Sequence, residues 1–179
     1  GLRRRLAAGG GLAFRAMLVR SPEDADAAVQ ELEKAQAQLA GDVKHPLWSE
    51  TAIMLGRGYR TRAELTGPGP EQAADRDRGR HYGLLALRGQ SWRALVQSTT
   101  DNAVAAAREA ADLALEVAGW CITDRAATDA AVALDAGRGL ILHAASVTPG
   151  LGQVPADATA VAADPRSRRL LAIVPSRVA

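Results

Sequence analysis

Cys121 is the only cysteine in the chain, and His45, His81 and His143 are its three histidines. Together they are the raw material of a thiol–imidazole pair. Such a pair needs a thiolate held beside an imidazole in a partly exposed, electropositive setting. Cys121 instead shares a helical stripe with Leu113, Val117 and Trp120, which reads as a buried structural thiol. His143 sits in a helix with no carboxylate nearby in sequence to orient it. The Gly-x-Gly pairs Gly56/Gly58, Gly137/Gly139 and Gly150/Gly152 invite a phosphate-cradle reading. None follows a strand or opens a helix, as a nucleotide fingerprint requires, and no G-x-x-x-x-G-K-[ST] run is present. Glu31, Glu33, Asp124 and Asp129 read as solvated carboxylates on polar faces or in turns. The expectation is therefore no catalytic residue, no metal and no cofactor. The chemistry that remains is the guanidinium fork of Arg57 and Arg60, which bonds a carboxylate through both oxygens.

These residues must be positioned by helices. Hydrophobic residues make up 47% of the 179 and aromatics only 3%, with alanine abundant. That composition favours an all-α chain, because strands draw on β-branched and aromatic residues. The stretch SPEDADAAVQELEKAQAQLAGD predicts a helix capped by Ser21, with Pro22 at its first position and Asp24 where a capping-box acid would stand. Ala25, Ala28, Val29, Leu32, Ala35 and Leu39 form its apolar stripe, and Gly41 ends it. LWSETAIMLGRGYRTRAEL reads as the next helix, with Leu47, Trp48, Ala52, Leu55 and Tyr59 on one face, and TGPGP breaks it. From Glu71 to about Gln97 a helix begins with solvated turns in DRDRGRH and continues through Leu84, Leu85, Leu87, Trp92, Leu95 and Val96. STTDN caps a fourth, TDRAATD turns the chain, and LDAGRGLILHAASV makes the last before Pro149 and Gly150. In that last stretch Leu134, Ile141, Leu142 and Ala145 continue a stripe through the two glycines, so a close helix crossing near Trp120 or Ala118 is expected. Short connections imply antiparallel helix pairs, in a bundle or an α-solenoid. The expected layout is a helical domain of about six helices over 1–147 and a loosely structured tail over 148–179.

Leu55, Gly56 and Tyr59 reproduce the L-G-x₂-Y part of the tetratricopeptide pattern, with Ala52 where its tryptophan would stand. Ala28, Leu32 and Ala35 have the spacing of the second-helix series, and Ala130, Leu134 and Gly137 echo it. LRGQSWRALVQSTTDNAVAAAREAADLALEVAGWC, followed by AAVALDAGRGLILHAAS, resembles the helical region that precedes the protease-like domain of actinobacterial CHAT proteins, caspase relatives associated with tetratricopeptide repeats. The resemblance implies an interaction or regulatory array. The cysteine and histidine dyad of that family has no counterpart here. In a tetratricopeptide register the groove-facing positions include Glu50, Ile53, Arg57 and Arg60, which implies a protein or peptide partner with an acidic segment. The alternative is an N-terminal fragment of a CHAT-type cysteine protease whose catalytic domain lies further along a longer chain. Beginning at Gly1, the chain is expected to be a piece of something longer.

Net charge is +2, nearly all positive charge is arginine, and signs mostly alternate, so nucleic acid is not the expected partner. GLRRRLAAGGGLAFRAML mimics a twin-arginine signal, but Arg15 interrupts its apolar part and no small-residue cleavage site follows. With a lone cysteine and no apolar run near 18 residues, the expectation is a cytoplasmic chain without a membrane span.

Overall fold

The structure is a computed structural model. It describes the backbone of residues 1–95 and 100–147, and within these the side chains of 1–90, 102 and 105–139. The described residues form six helices: α1 (Leu2–Val19), α2 (Pro22–Gln38), α3 (Trp48–Leu65), α4 (Pro70–Leu95), α5 (Thr100–Thr123) and α6 (Ala127–Val147). The fold is all-α, built from packed adjacent helix pairs. Residues 1–144 belong to one unit, to which everything below refers. The tail over 148–179, Ser98 and Thr99 of the STTDN cap, and the side chains of Trp92, Leu95, Ile141, Leu142, His143 and Ala145 lie outside the described residues, as does the Gly150/Gly152 pair.

The stretch that mimics a signal is α1. It turns sharply into α2 at Arg20, whose φ of 54° lets the Ser21 N–H reach the Ala16 carbonyl at 3.2 Å. Ser21 caps α2 by accepting the Asp24 N–H at 3.1 Å. The capping box is only half built, because the Asp24 carboxylate turns to Arg15 of α1 instead of the Ser21 backbone. All six stripe residues of α2 are buried. The helix stops at Gln38, and Ala40 and Gly41 carry the left-handed backbone that follows, with φ of 46° and 80°.

Neighbouring helices run antiparallel, since contacts descend on one helix as they ascend on the other. Along α3 and α4 the facing sets are Trp48 with Gly89, Ser49 with Ala86, Gly56 with Gly83 and Arg62 with Asp75. Along α1 and α2 they are Arg5 with Glu31, Gly9 with Ala28 and Arg15 with Asp24. Glycine sets the spacing of the central pair. A Cβ on Gly56 would stand 3.1 Å from the Gly79 carbonyl and 3.3 Å from the Gly83 nitrogen, so α3 and α4 meet backbone to backbone. Gly58 points the other way, toward Leu32 and Val29 of α2. Two glycines two residues apart face opposite sides of a helix, which suits a helix packed between two neighbours. The first Gly-x-Gly is therefore packing.

Ala52, Ile53, Ala86, Leu87, Leu113, Val117 and Cys121 form the larger core cluster, with Ala130 and Ala133 of α6 added to it. Leu6, Val29, Leu32, Leu55 and Tyr59 form the second. Gly137 does meet α5, yet against Ala114, whose Cβ an added Cβ would approach to 2.6 Å, and not near Trp120 or Ala118. The reason is antiparallel geometry. Residues equidistant from the turn at Asp124 face each other, which places Gly137 one to two turns nearer the start of α5 than expected. Leu134 is 45% exposed and Gly139 has nothing within 4 Å, so the inward stripe of α6 runs through Ala130, Ala133 and Gly137 instead.

Candidate functional site

Glu50, Ile53, Arg57 and Arg60 share one face of α3 by their spacing of three, four and three. The structure closes part of that face, where side chains of α5 and of the turn after it reach Arg57 and Arg60. Ile53 is buried in the larger core cluster and is unavailable to a groove. Arg57 is exposed but already forked, its Nε at 2.8 Å and its Nη2 at 2.6 Å from the two carboxylate oxygens of Glu116. That hydrogen bond, against the pull of burial, raises the Arg57 pKa. Arg60 donates to Asp124 at 2.5 Å and lies 5.8 Å from the Trp120 ring centroid. Glu50 stays exposed, apart from the others, beside Arg3, Leu6 and Met54. The carboxylate fork expected for an acidic partner is made, but its acceptors belong to the same chain. Glu116 and Trp120 of α5 and Asp124 just past its end recur every fourth residue, and that spacing was the sequence signal for a matching face.

Asp124 closes the α5–α6 corner and, among the described residues, is the carboxylate that most arginines approach. Only 4% of its side chain is exposed, and Arg60, Arg80 and Arg76 approach it at 2.5, 2.8 and 3.7 Å. Arg80 also reaches Asp77 at 2.5 Å and Asp129 at 3.7 Å. Burial pulls the Arg80 pKa down, but its hydrogen bonds to Asp124 and Asp77 raise it overall. A second knot binds α2, α3 and α4. Arg62 forks onto Asp75 with two bonds of 2.7 Å and touches Asp26 at 3.2 Å. Asp75 is buried. The DRDRGRH turns of α4 are solvated only in part: Asp77, Arg78 and His81 are exposed as expected, whereas Asp75 and Arg80 take partners on other elements. Arg62 of α3 and Asp124, just past the end of α5, draw these two inward.

Tyr59 stacks on Tyr82 with centroids 5.8 Å apart, lies under the guanidinium groups of Arg62 and Arg78, and donates its hydroxyl to Glu33. Burial, and then the Glu33 carboxylate, push both tyrosine pKa values up. Beside this stack a cleft of about 470 Å³ opens between α2, α3 and α4, lined by Glu33, Gln36, Trp48, His81, Tyr82 and Leu85 among others. Trp48 is 6% exposed. Its indole Nε1 has no acceptor, and the buried Oε1 of Gln36 has no donor. Sequence reading placed Trp48 on a packing stripe and passed over this cleft, because an unpaired polar atom leaves no trace in periodicity.

Cys121 is fully buried, and burial, then Asp129, pushes its thiol pKa up. Among the described residues no hydrogen bond joins it to a histidine. His45 accepts the Leu47 N–H through Nδ1 at 3.1 Å, and His81 meets Tyr82 edge-on. The described residues contain no group of three His, Cys, Asp or Glu side chains suited to a metal ion, and no helix long and apolar enough to cross a membrane. No family model, curated protein or solved structure matches the chain.

Proposed function

We propose that the chain is a non-catalytic, tetratricopeptide-like scaffold for protein–protein contact in the cytoplasm, akin to the helical array of CHAT proteins. The observation that carries this reading is the apolar outer face of α1. Phe14, Met17, Leu18 and Val19 are 55–65% exposed there, and large apolar side chains gathered on an outer helix mark a place where another helix stacks. Arg3, Arg4 and Arg20 have no ion pair among the described residues, which favours an acidic amphipathic partner. The partner surface accordingly moves from the α3 face to α1.

The test is affinity capture from the native host with the wild-type chain and with Phe14→Ser/Leu18→Ser. A specific acidic partner held by wild type and lost by the double variant, with unchanged circular dichroism, is the expected result. Capture that survives both substitutions would overturn the assignment to α1.

A further inference from the structure

The outer face of α1 carries a pattern beyond its apolar end. Arg4, Ala7, Gly11, Phe14 and Leu18 are all exposed, and their spacings of three, four, three and four are those of a two-helix seam. The two halves of this seam differ in bulk. From Ala7 to Gly11 it is bare, with open space around Gly11, whereas Phe14 and Leu18 are 60% and 65% exposed. A second α1, turned end for end about Gly11, receives Phe14 over its Ala7 and Ala8 and offers its own Phe14 in return. Large against small on both sides is what an isologous two-fold contact requires.

Charge selects the same orientation. Arg3 and Arg4 have no ion pair among the described residues, so the first turn is cationic. At the other end Glu23 and Asp24 offset Arg15 and Arg20, and the last turn of α1 holds no basic residue. That end is neutral in side-chain charge and forms the negative pole of the helix dipole. Parallel helices would press one Arg3/Arg4 pair against the other. Antiparallel helices set each pair at the negative pole of the second copy, with the Arg4 stem along Leu18.

We infer that α1 pairs antiparallel with α1 of a second copy of this chain, the two helices crossing at Gly11. The inference rests on the reading of α1 as a contact face and adds what covers that face when the acidic partner is absent. One helix from each copy makes a small interface, so the dimer is weak and dissociates on dilution.

Sedimentation of the full chain over about a hundred-fold range of concentration should show a reversible monomer–dimer equilibrium. Phe14→Ser/Leu18→Ser should be monomeric throughout with unchanged circular dichroism, and Arg4→Glu should weaken the dimer about ten-fold. Disulfide trapping reads the orientation, since the native Cys121 is buried. Gly11→Cys should cross-link to itself, because the copies meet there. Ala7→Cys should not, since its own counterpart lies about 12 Å away along the axis. Four outcomes would overturn the pairing: a chain monomeric at every concentration, a chain that leaves the dimer for phosphatidylglycerol vesicles, a dimer that survives Phe14→Ser/Leu18→Ser, or self-linking of Ala7→Cys. Capture of the acidic partner that persists in a double variant unable to dimerise would count against the partner contact alone and leave the pairing standing.

Discussion

Three guanidinium groups converge on the single charge of Asp124. Asp124→Asn keeps the shape and removes the charge, leaving Arg60 and Arg80, which are 12% and 16% exposed, without it. Breaking a buried pair in this way should destabilise the chain by about 3–5 kcal/mol, read from urea unfolding. Arg57→Ala, which loses only the exposed fork to Glu116, should lower stability by about 1 kcal/mol or less in the same assay. From sequence alone, charge reversal at Arg57 and Arg60 would be expected to spare the melting temperature. With Asp124 facing Arg60, the same double reversal should lower it sharply. The burial of Cys121 was legible because its neighbours at i−4 and i−8 are apolar. The fate of the arginines was not, because their acceptors lie 59 and 64 residues away, and local periodicity carries no information at that range. For Cys121, thiol reagents should react slowly with native protein and rapidly once denaturant opens the core, measured as labelling rate against denaturant concentration.

Helices themselves were legible wherever an apolar stripe met a cap, as in α2, or a proline–glycine break, as in α3. The exception is α1, whose arginines, glycines and bare apolar end share the composition of a targeting segment. What separates the two readings is contact: Leu6 and Gly9 are buried against α2, and Arg5 is paired to Glu31. Paired glycines likewise look alike in sequence and differ in surroundings. Gly137→Ala would drive a methyl to 2.6 Å from the Ala114 Cβ and should lose roughly 1–3 kcal/mol through overpacking. Gly139→Ala, in open space on the same helix, should gain up to about 1 kcal/mol from helix propensity. Thermal denaturation of the two variants, each against wild type, gives opposite signs if α6 is seated as described.

Across the whole molecule, Tyr59 and Tyr82 are the only tyrosines, and both have raised pKa values in the fold. A raised acid keeps its proton longer folded than unfolded. Stability is therefore undiminished below the ordinary tyrosine value of about 10 and falls as pH climbs past it. An ultraviolet titration should show both phenols ionising late and together, with loss of helical signal, instead of singly near the ordinary value. At the other end, Asp24 and Glu31 are held below the usual carboxylate range by Arg15 and Lys34. Their contribution is whole above that range and fades as pH drops through their folded values.

The corner at Asp124 also bears on where the chain tolerates interruption. Short turns between helices are ordinarily places for an inserted tag or a new pair of termini. The TGPGP turn fits that description, with Gly67 and Gly69 facing open space. The α5–α6 turn is just as short, yet it holds the carboxylate that Arg60 and Arg80 converge on. A flexible insertion after Gly67 should leave a circularly permutable, folded chain, while the same insertion after Asp124 should release the last helix from the rest.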